Sequence, residues 1–430
     1  MPTSLYKYLL AGYIILSGII LIIYPRDEVI RSDAEGYYMY LPAFFIYDGF
    51  ESIPTDPRRS YGPNDETGKY FSHYTYGVAI FQAPFFIVGH FALNVLSKLD
   101  SSSDYSTADG YSHPYHQLIF LSALFYGALG LMFLKKTLNH FFDHKVSILG
   151  LVGTVLGTNL LYYTIFDPGY SHIYSFFLIS ALLYYLIKWE KNQSALNMLR
   201  VSFLVVLIIF VRPSNVFIIF YVLGFGLIVK KDISRRLNVI LAQYKVVVGA
   251  LILLGILVVI QLLLWKEMND GWIFYSYGSE RTFTNWANPK FFQVLFDVQN
   301  GLFIYSPILL FGAVGIALNF KNNRFNSTGL LLFLVIMTYV FGSYFNWWFG
   351  GAFGHRCYVE FFPLLALPMC DVFKRVLGNG SAIRGLFYSI YGLTIYYSIG
   401  LTFNYVHPWE GPGWTWGKLG EVILRIFFLG

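Results

Sequence analysis

Long apolar runs separated by short polar stretches extend over almost the whole chain. A helix needs about 20 mostly apolar residues to cross the hydrocarbon core of a bilayer, and about eleven runs approach that length. Nine of these runs are uninterrupted: 6–24, 116–134, 146–165, 171–188, 246–265, 303–320, 328–346, 358–373 and 386–404. The other two, 200–212 and 214–230, are separated only by "RPS". Because proline disfavours helical geometry in the residue before it, this pair predicts two short helices in a hairpin.

The composition indicates that lipid surrounds most of the chain. Of the 430 residues, 56% are hydrophobic, 20% are aromatic and only 13% are charged, whereas soluble domains contain about 25% charged residues. The pattern therefore predicts an all-α polytopic membrane protein. No small-residue cleavage site follows the run 6–24, so we expect it to be a retained span rather than a signal peptide. The two cysteines, Cys357 and Cys370, match neither a disulfide framework nor a metal site.

The distribution of charge between loops predicts the topology. If the run 76–97 lies in the membrane interface and the N-terminus is cytoplasmic, more than half of the 30 Lys and Arg residues fall within or at the borders of short inner segments. Those segments are 1–5, 135–145, 189–199, 231–245, 321–327 and 374–385, and their only acids, counting border residues, are Asp143, Glu190, Asp232 and Asp371. If 76–97 spans instead, every later loop inverts and "KKDISRR" lies outside. The positive-inside rule favours the interfacial helix.

This topology predicts one membrane-embedded domain, 1–430, with long outer loops and short inner ones. The first outer loop is 25–115 and contains the interfacial helix. The second long outer loop is 266–302, and the C-terminal segment 405–430 is also outside. Such asymmetry suggests chemistry or recognition at the outer face of the membrane.

Two acids, Asp33 and Glu35 in "RSDAEGYYMY", follow the first apolar run. On a helix, residues two apart point in different directions, whereas on an extended segment they share a face. A carboxylate at this boundary is partly desolvated, which strengthens it as a base. The alternative is that both are solvated acids in an interfacial loop.

Aromatic residues surround these acids. Tyr37 and many further Tyr and Phe residues lie in the first outer loop, where "KYFSHYTYG" adds Lys69 and His73. Tyrosine is common in the aromatic belts of membrane proteins. A dense aromatic group beside acids also suits a sugar or a lipid headgroup, and Lys69 and His73 are candidate donors to a phosphate.

Three further stretches place polar residues at predicted membrane boundaries. "FDPGYSHIYSFF" contains Asp167 and His172, which form either a polar hairpin turn or a second acidic part of the same cleft as Asp33. Arg212 lies between two apolar runs and either snorkels to the interface or clamps a phosphate. "SYFNWWFGGAFGHRCYVEFFPLLALP" contains Trp348, His355 and Arg356, and we expect donors at the outer surface and glycines that allow close approach of a ligand.

Other functional classes lack their motifs. The chain contains no GxxxxGK[ST], no HExxH and no basic stretch suited to a nucleic acid. The sequon at Asn326 falls on the predicted inner side, so we do not expect a glycan there.

These features together resemble the membrane-embedded, lipid-dependent glycosyltransferases of the GT-C fold. The resemblance is greatest to the bacterial protein mannosyltransferase and aminoarabinose transferase group. In that family an acidic motif begins a long outer loop, and an interfacial helix precedes the second span; here "SDAEG" and 76–97 occupy those positions. The resemblance covers the layout of roughly residues 1–230 and, beyond them, rests on the number of spans and "WWFGGAFGHR".

The resemblance implies an inverting transferase in the inner membrane with its active site facing outside. The donor would be a polyprenyl-phosphate sugar and the acceptor a glycan, a lipid or a protein. Asp33 would be the general base, with Glu35 and Asp167 as further catalytic acids. Donor binding would involve Tyr37, Lys69, His73, His172, Arg212, Trp348, His355 and Arg356.

One alternative concerns the role of the two acids, and two others concern the function of the protein. Asp33 and Glu35 could instead hold a divalent cation, Mg²⁺ or Mn²⁺, since hard oxygen ligands suit these ions. A transporter or flippase of lipid-linked sugars would require matched internal repeats, which the sequence lacks. A non-catalytic membrane scaffold is the third interpretation.

Overall fold

The structure is a computed structural model and describes residues 12–13, 18, 29–55, 60–63, 67–99, 108–227, 230–272 and 282–429. The predicted span 6–24 therefore lies almost entirely outside the described residues. Helices dominate the rest, and none of the described residues belongs to a strand. The predicted all-helical class is thereby confirmed.

The helices of the first half of the chain are α1 (Asp33–Tyr38), α2 (Tyr40–Phe45), α3 (Gly77–Leu99), α4 (His113–Phe141), α5 (His144–Leu156), α6 (Leu160–Ile165), α7 (Ser171–Lys191), α8 (Ala195–Val211) and α9 (Ile218–Gly224). Those of the second half are α10 (Lys230–Ala242), α11 (Tyr244–Asn269), α12 (Phe291–Phe296), α13 (Leu302–Tyr305), α14 (Leu309–Asn319), α15 (Ser327–Ser343), α16 (Phe362–Leu377), α17 (Ser381–Asn404) and α18 (Trp416–Leu424). Short 3₁₀ helices occur at Pro213–Phe217, Arg324–Asn326 and Arg356–Phe361, and Arg425–Leu429 forms a π-helical turn.

Five helical segments among these ranges are long and apolar enough to cross a membrane. They are Gly77–Leu99, His113–Phe141, Ser171–Lys191, Tyr244–Asn269 and Arg324–Ser343. Shorter apolar helices pack between them, including α5, α8 and α14. The protein therefore has the character of a helical membrane protein, as its hydropathy predicts.

Local sequence explains where several predicted spans are interrupted. The run 146–165 divides into α5 and α6 at the turn around Gly157. The run 303–320 divides into α13 and α14 at Ser306 and Pro307, because proline cannot donate a helical hydrogen bond. The run 358–373 begins as the 3₁₀ turn Arg356–Phe361 and becomes α-helical only at Phe362. The "RPS" break is confirmed, since α8 ends at Val211 and a 3₁₀ turn starts at Pro213.

Charged residues mark the two ends of the helix bundle. At one end, which we call the basic end, Arg236 contacts Glu190, and Arg324 Nη1 lies 2.8 Å from Asp371 Oδ1. The segment 230–242, predicted to be part of an inner loop, forms helix α10 at this end. The opposite end, which we call the site end, carries the first turn of α7 and the C-terminus of α8, together with Asp33.

Helix α3, the predicted interfacial helix, begins at the site end and stays beside it. A side chain at Gly77 would lie 2.8 Å from the Cα of Val211, at the end of α8. Further along α3, His90 Nδ1 lies 2.6 Å from the hydroxyl of Tyr115, in the first turn of α4. The other end of α4 reaches the basic end, where His140 lies 3.5 Å from Lys191. The described contacts between α3 and α4 therefore lie in the site-end half of α4.

Candidate active site

The helical conformation of α1 separates the two acids at the start of "DAEGYY". Asp33 and Glu35 lie two residues apart on this helix, so their side chains point in different directions. The side chain of Asp33 is 21% exposed, whereas Glu35 is buried and its Oε2 accepts a hydrogen bond from the backbone N–H of Ser60 at 2.8 Å. Glu35 thus tethers the loop that contains Ser60, and Asp33 is the acid that faces the candidate site.

A glycine follows Glu35 because the chain approaches two tyrosines closely. A Cβ at Gly36 would lie 2.7 Å from the hydroxyl of Tyr61 and 2.7 Å from a ring carbon of Tyr74. The ring of Tyr74 stacks on that of Tyr37, with centroids 4.2 Å apart. Gly36 is therefore required for the packing of α1 against Tyr61 and Tyr74.

Arg356 contacts Asp33 directly. Its Nη1 lies 3.0 Å from Asp33 Oδ2, and the two side chains are only 18% and 21% exposed. The guanidinium also lies over the ring of Tyr170, 5.4 Å from the centroid. Loops that are distant in the sequence thus form one charged centre at the site end.

A second charged group surrounds Arg212, which caps the C-terminus of α8. Its Nη1 lies 2.8 Å from His172 Nδ1 and 3.3 Å from Glu360 Oε2, and its Nη2 lies 3.4 Å from the sulfur of Cys357. A guanidinium can only donate, so His172 accepts through Nδ1 and carries its proton on Nε2. Arg212 is thus held by buried partners and does not snorkel to solvent, since its side chain is only 15% exposed.

Tyr37 lies between the Asp33 and Arg212 groups. Its hydroxyl donates to Ser171 Oγ at 3.2 Å, and it interacts electrostatically with Arg212, Asp33 and Arg356. Burial raises the pKa of Tyr37 to about 12, so the phenol stays protonated at neutral pH. The sequence pattern grouped these residues on one face, and the structure brings them into one cluster.

Asp167 borders the same cluster and has its own cation. Arg31 Nη2 lies 3.2 Å from Asp167 Oδ1, with side chains that are 39% and 10% exposed. Asp167 also interacts with Tyr170, the ring that lies under Arg356. The "FDPGYSH" turn therefore brings Asp167 to the edge of the cluster and His172 into the Arg212 group.

His355 differs from the expectation of an exposed donor. It is 1% exposed and is packed against the rings of Phe341, Phe349 and Tyr358. Burial lowers its pKa to about 3, so the ring is neutral at physiological pH. Neither ring nitrogen has a hydrogen-bond partner of normal geometry among the described residues.

The tryptophan and glycine residues before His355 contact the protein's own chain. Trp348 Nε1 donates to Glu410 Oε2 at 2.7 Å, which fastens the C-terminal segment to this loop. Gly354 has a φ of +62°, and a Cβ there would lie 2.8 Å from the Cβ of Tyr305. The glycine serves packing at this position, where we expected room for a ligand.

Lys69 and His73 occupy the periphery. Lys69 Nζ lies 3.4 Å from Glu51 and 3.5 Å from Asp270, so its described partners are outside the cluster. His73 packs near the rings of Phe71 and Tyr61. Tyr37 therefore contributes to the cluster more directly than either of these two residues.

A divalent cation would find few ligands here. In the parts of the chain that the structure describes, no group of three or more His, Cys, Asp or Glu side chains is placed to hold a metal ion. Asp33 and Glu35, the suggested pair, engage Arg356 and the Ser60 backbone separately. Their donor set fits a charge pair and a loop tether better than a metal site.

The structure adds residues that sequence reasoning missed. Arg31 and Glu360 complete two of the ion pairs, and Tyr170 supports Arg356. Glu360 had a usable signal, because it is a lone charge at the start of the apolar run "CYVEFFPLLALP", where an ionisable residue is costly. Arg31 precedes Asp33 by only two positions, but its pairing with Asp167 depends on tertiary contact.

Comparison with known proteins gives no family for the chain: no protein-family model, no curated protein and no solved structure matches it.

Proposed function

We propose that the protein is a glycosyltransferase of the GT-C type that moves a sugar from a polyprenyl-phosphate donor to an acceptor at the outer face of the membrane. The observation that carries the proposal is the contact between Asp33 and Arg356 beside the buried Arg212 group. One partly exposed carboxylate and two guanidinium groups match the needs of this reaction, which are a base for a hydroxyl and positive charge for a phosphate.

The proposed orientation has the N-terminus inside, about eleven spans and the site end outside, in the inner membrane. Two packing features support it. Arg236, Arg324 and Arg375 all lie at the basic end, which suits the cytoplasmic side. Helix α3 contacts the site-end half of α4, as an interfacial helix on the outer surface would.

In the proposed reaction Asp33 accepts the proton of an acceptor hydroxyl. The acceptor oxygen then forms a bond to the anomeric carbon while the bond from that carbon to the phosphate oxygen breaks. The leaving polyprenyl phosphate takes the bonding electron pair, and the configuration inverts. Arg356 contacts only one carboxylate oxygen, Oδ2, so the hydroxyl would approach Oδ1.

The phosphate would be stabilised by charge more than by proton donation. Arg356 and Arg212 are the candidates, because a guanidinium forks two N–H donors toward a phosphate. The protonated Tyr37 hydroxyl lies within electrostatic reach of both and would add a neutral donor. In this proposal Glu360 and His172 position Arg212, while Asp167 positions Arg31.

The test is transfer by the full-length protein reconstituted with polyprenyl-phosphate sugars. Asp33→Asn keeps the size of the side chain but removes the base, so we expect loss of transfer while the protein is still expressed and still unfolds in one cooperative transition. Asp270→Asn is the matched control, because it makes the same chemical change at an ion pair on the periphery, with Lys69, and should retain activity. Full activity of Asp33→Asn would refute the assignment of the base.

A further inference from the structure

Helix α10 at the basic end has two chemically distinct exposed flanks. Ile233, Leu237 and Leu241 recur every four residues and form one stripe along the helix. They are 49%, 53% and 67% exposed. Ser234 and Asn238, each one residue later, are exposed on the neighbouring flank. A stripe of three exposed aliphatic side chains on a solvated helix would be costly in water.

Arg236 fixes the rotation of this helix. Its side chain is 3% exposed, contacts Glu190, donates to the carbonyl of Phe225 at 2.7 Å and lies 4.5 Å from the ring centroid of Trp189. With Arg236 facing the bundle, the helical repeat places the aliphatic stripe on a flank of α10, about 100° around the helix from Arg236. The exposure of the stripe is therefore built into the packing of α10.

The next helix, α11, indicates the surroundings of this part of the chain. α11 follows α10 after one residue, Gln243, whose side chain donates to the carbonyl of Gln193 at 2.6 Å. α11 is the most apolar of the five candidate spans, and only 6% of its most apolar 18-residue stretch is buried within the protein. So much exposed apolar surface suits a lipid environment for α11, and the helix that carries the aliphatic stripe, α10, ends one residue before it.

The charge of the segment 230–245 suits an anionic surface. It contains Lys230, Lys231, Arg235, Arg236 and Lys245 but only one acid, Asp232. Arg235 is already paired, 3.3 Å from Asp232 and 3.8 Å from Glu190. Positive charge from the lysines is thus in excess. Basic residues next to a membrane surface attract anionic lipids, at about 1 kcal/mol for each Lys or Arg.

We infer that α10 is an in-plane membrane anchor at the basic end, with Ile233, Leu237 and Leu241 inserted among lipid chains and the excess lysine charge of 230–245 attracting anionic headgroups. The occupant of the apolar stripe is the bilayer itself. This role is independent of the proposed transfer reaction, because α10 lies at the end of the bundle opposite Asp33 and Arg356.

The insertion is tested by single nitroxide labels on the full-length protein in nanodiscs in which one third of the lipid is anionic. Leu237→Cys reports the stripe, and Asn238→Cys is the matched control one residue away. Cys357 and Cys370 are buried. Dissolved oxygen should relax the label at 237 more strongly than a water-soluble nickel chelate does, and the order should reverse at 238. Equal access of the nickel chelate at both positions would refute insertion. Protection of the label at 237 from both reagents would show that another protein surface, such as a second copy of the chain, covers the stripe.

The charge component is tested by the lipid composition. Replacing zwitterionic lipid by anionic lipid should raise the oxygen-to-nickel ratio at position 237. The added substitutions Lys231→Gln and Lys245→Gln should remove most of that increase, whereas Lys418→Gln on α18 should not. If the ratio is the same in both lipid mixtures, recognition of anionic headgroups is refuted, whatever the transfer activity of the preparation.

Discussion

The carboxylate of Asp33 lies 3.0 Å from the guanidinium of Arg356, although one residue begins helix α1 and the other follows helix α15. Each side chain keeps about a fifth of its surface exposed. The pair is therefore sheltered enough to be coupled and open enough to meet a ligand. If the pair is only structural, breaking it changes the stability of the protein. If it is also a catalytic centre, breaking it abolishes transfer as well.

Breaking the pair should reveal a coupling energy. Asp33→Asn and Arg356→Gln each leave the other partner without its counter-ion, so the double variant should be less destabilised than the sum of the singles. Contacting residues typically show interaction energies of about 0.5–3 kcal/mol. Equilibrium unfolding in mixed micelles measures this difference. Additive single effects would show that the two side chains are energetically independent.

Arg212 should be far more important for stability than Arg31. Arg212 compensates the fully buried Glu360, and removing one member of a buried pair costs about 3–5 kcal/mol. Arg31 is 39% exposed in its pair with Asp167, and exposed pairs contribute about 0–1 kcal/mol. Unfolding of Arg212→Gln and Arg31→Gln under the same conditions gives the comparison. Similar losses in the two variants would contradict the buried placement of Arg212 and Glu360.

The helices were predictable because long apolar runs have few other stable solutions in lipid. The runs at 116–134, 171–188 and 246–265 became α4, α7 and α11 with small changes at their ends. Helix α10 was missed because its apolar residues are few and spaced along a basic segment, so a search for continuous runs does not detect it. Its amphipathic period was the available signal.

The sequence predicted several residues of the candidate site but not which of them pair with one another. Loop charge placed Asp33, Asp167 and Arg356 on one face, and the structure brings them together. Which cation pairs with which acid depends on how the helices are packed, and a single sequence does not specify that. The burial of His355 could not be predicted for the same reason, because its neighbour Phe341 belongs to helix α15, which precedes it in the chain.

The neutral His355 predicts a pH dependence of stability. Its pKa is about 3 in the folded protein because of burial, against 6.5 when exposed. The unfolded state therefore binds more protons below pH 6.5, and stability is lost as the pH falls from 6.5 toward 3. At about 1.4 kcal/mol for each pH unit, this loss reaches about 2 kcal/mol at pH 5.

His355→Phe removes the titrating group and keeps a ring among Phe341, Phe349 and Tyr358. The variant should lose less stability than the parent between pH 7 and pH 5, as measured by unfolding in mixed micelles. Parallel curves over that interval would show that His355 is not buried in its neutral form.

Replacement by alanine should have opposite effects on stability at two glycines in apolar helices. At Gly315, in α14, a Cβ would lie 2.1 Å from the backbone oxygen of Pro368 in α16, whereas at Gly392, in α17, nothing lies within 4 Å. A backbone atom cannot rotate away, so Gly315→Ala must separate two packed helices, at a cost of about 1–3 kcal/mol. Gly392→Ala should be neutral or stabilising by up to about 1 kcal/mol, because alanine favours the helix. Thermal unfolding in detergent ranks the two variants. A stable Gly315→Ala protein would mean that α14 and α16 do not pack as closely as the structure describes.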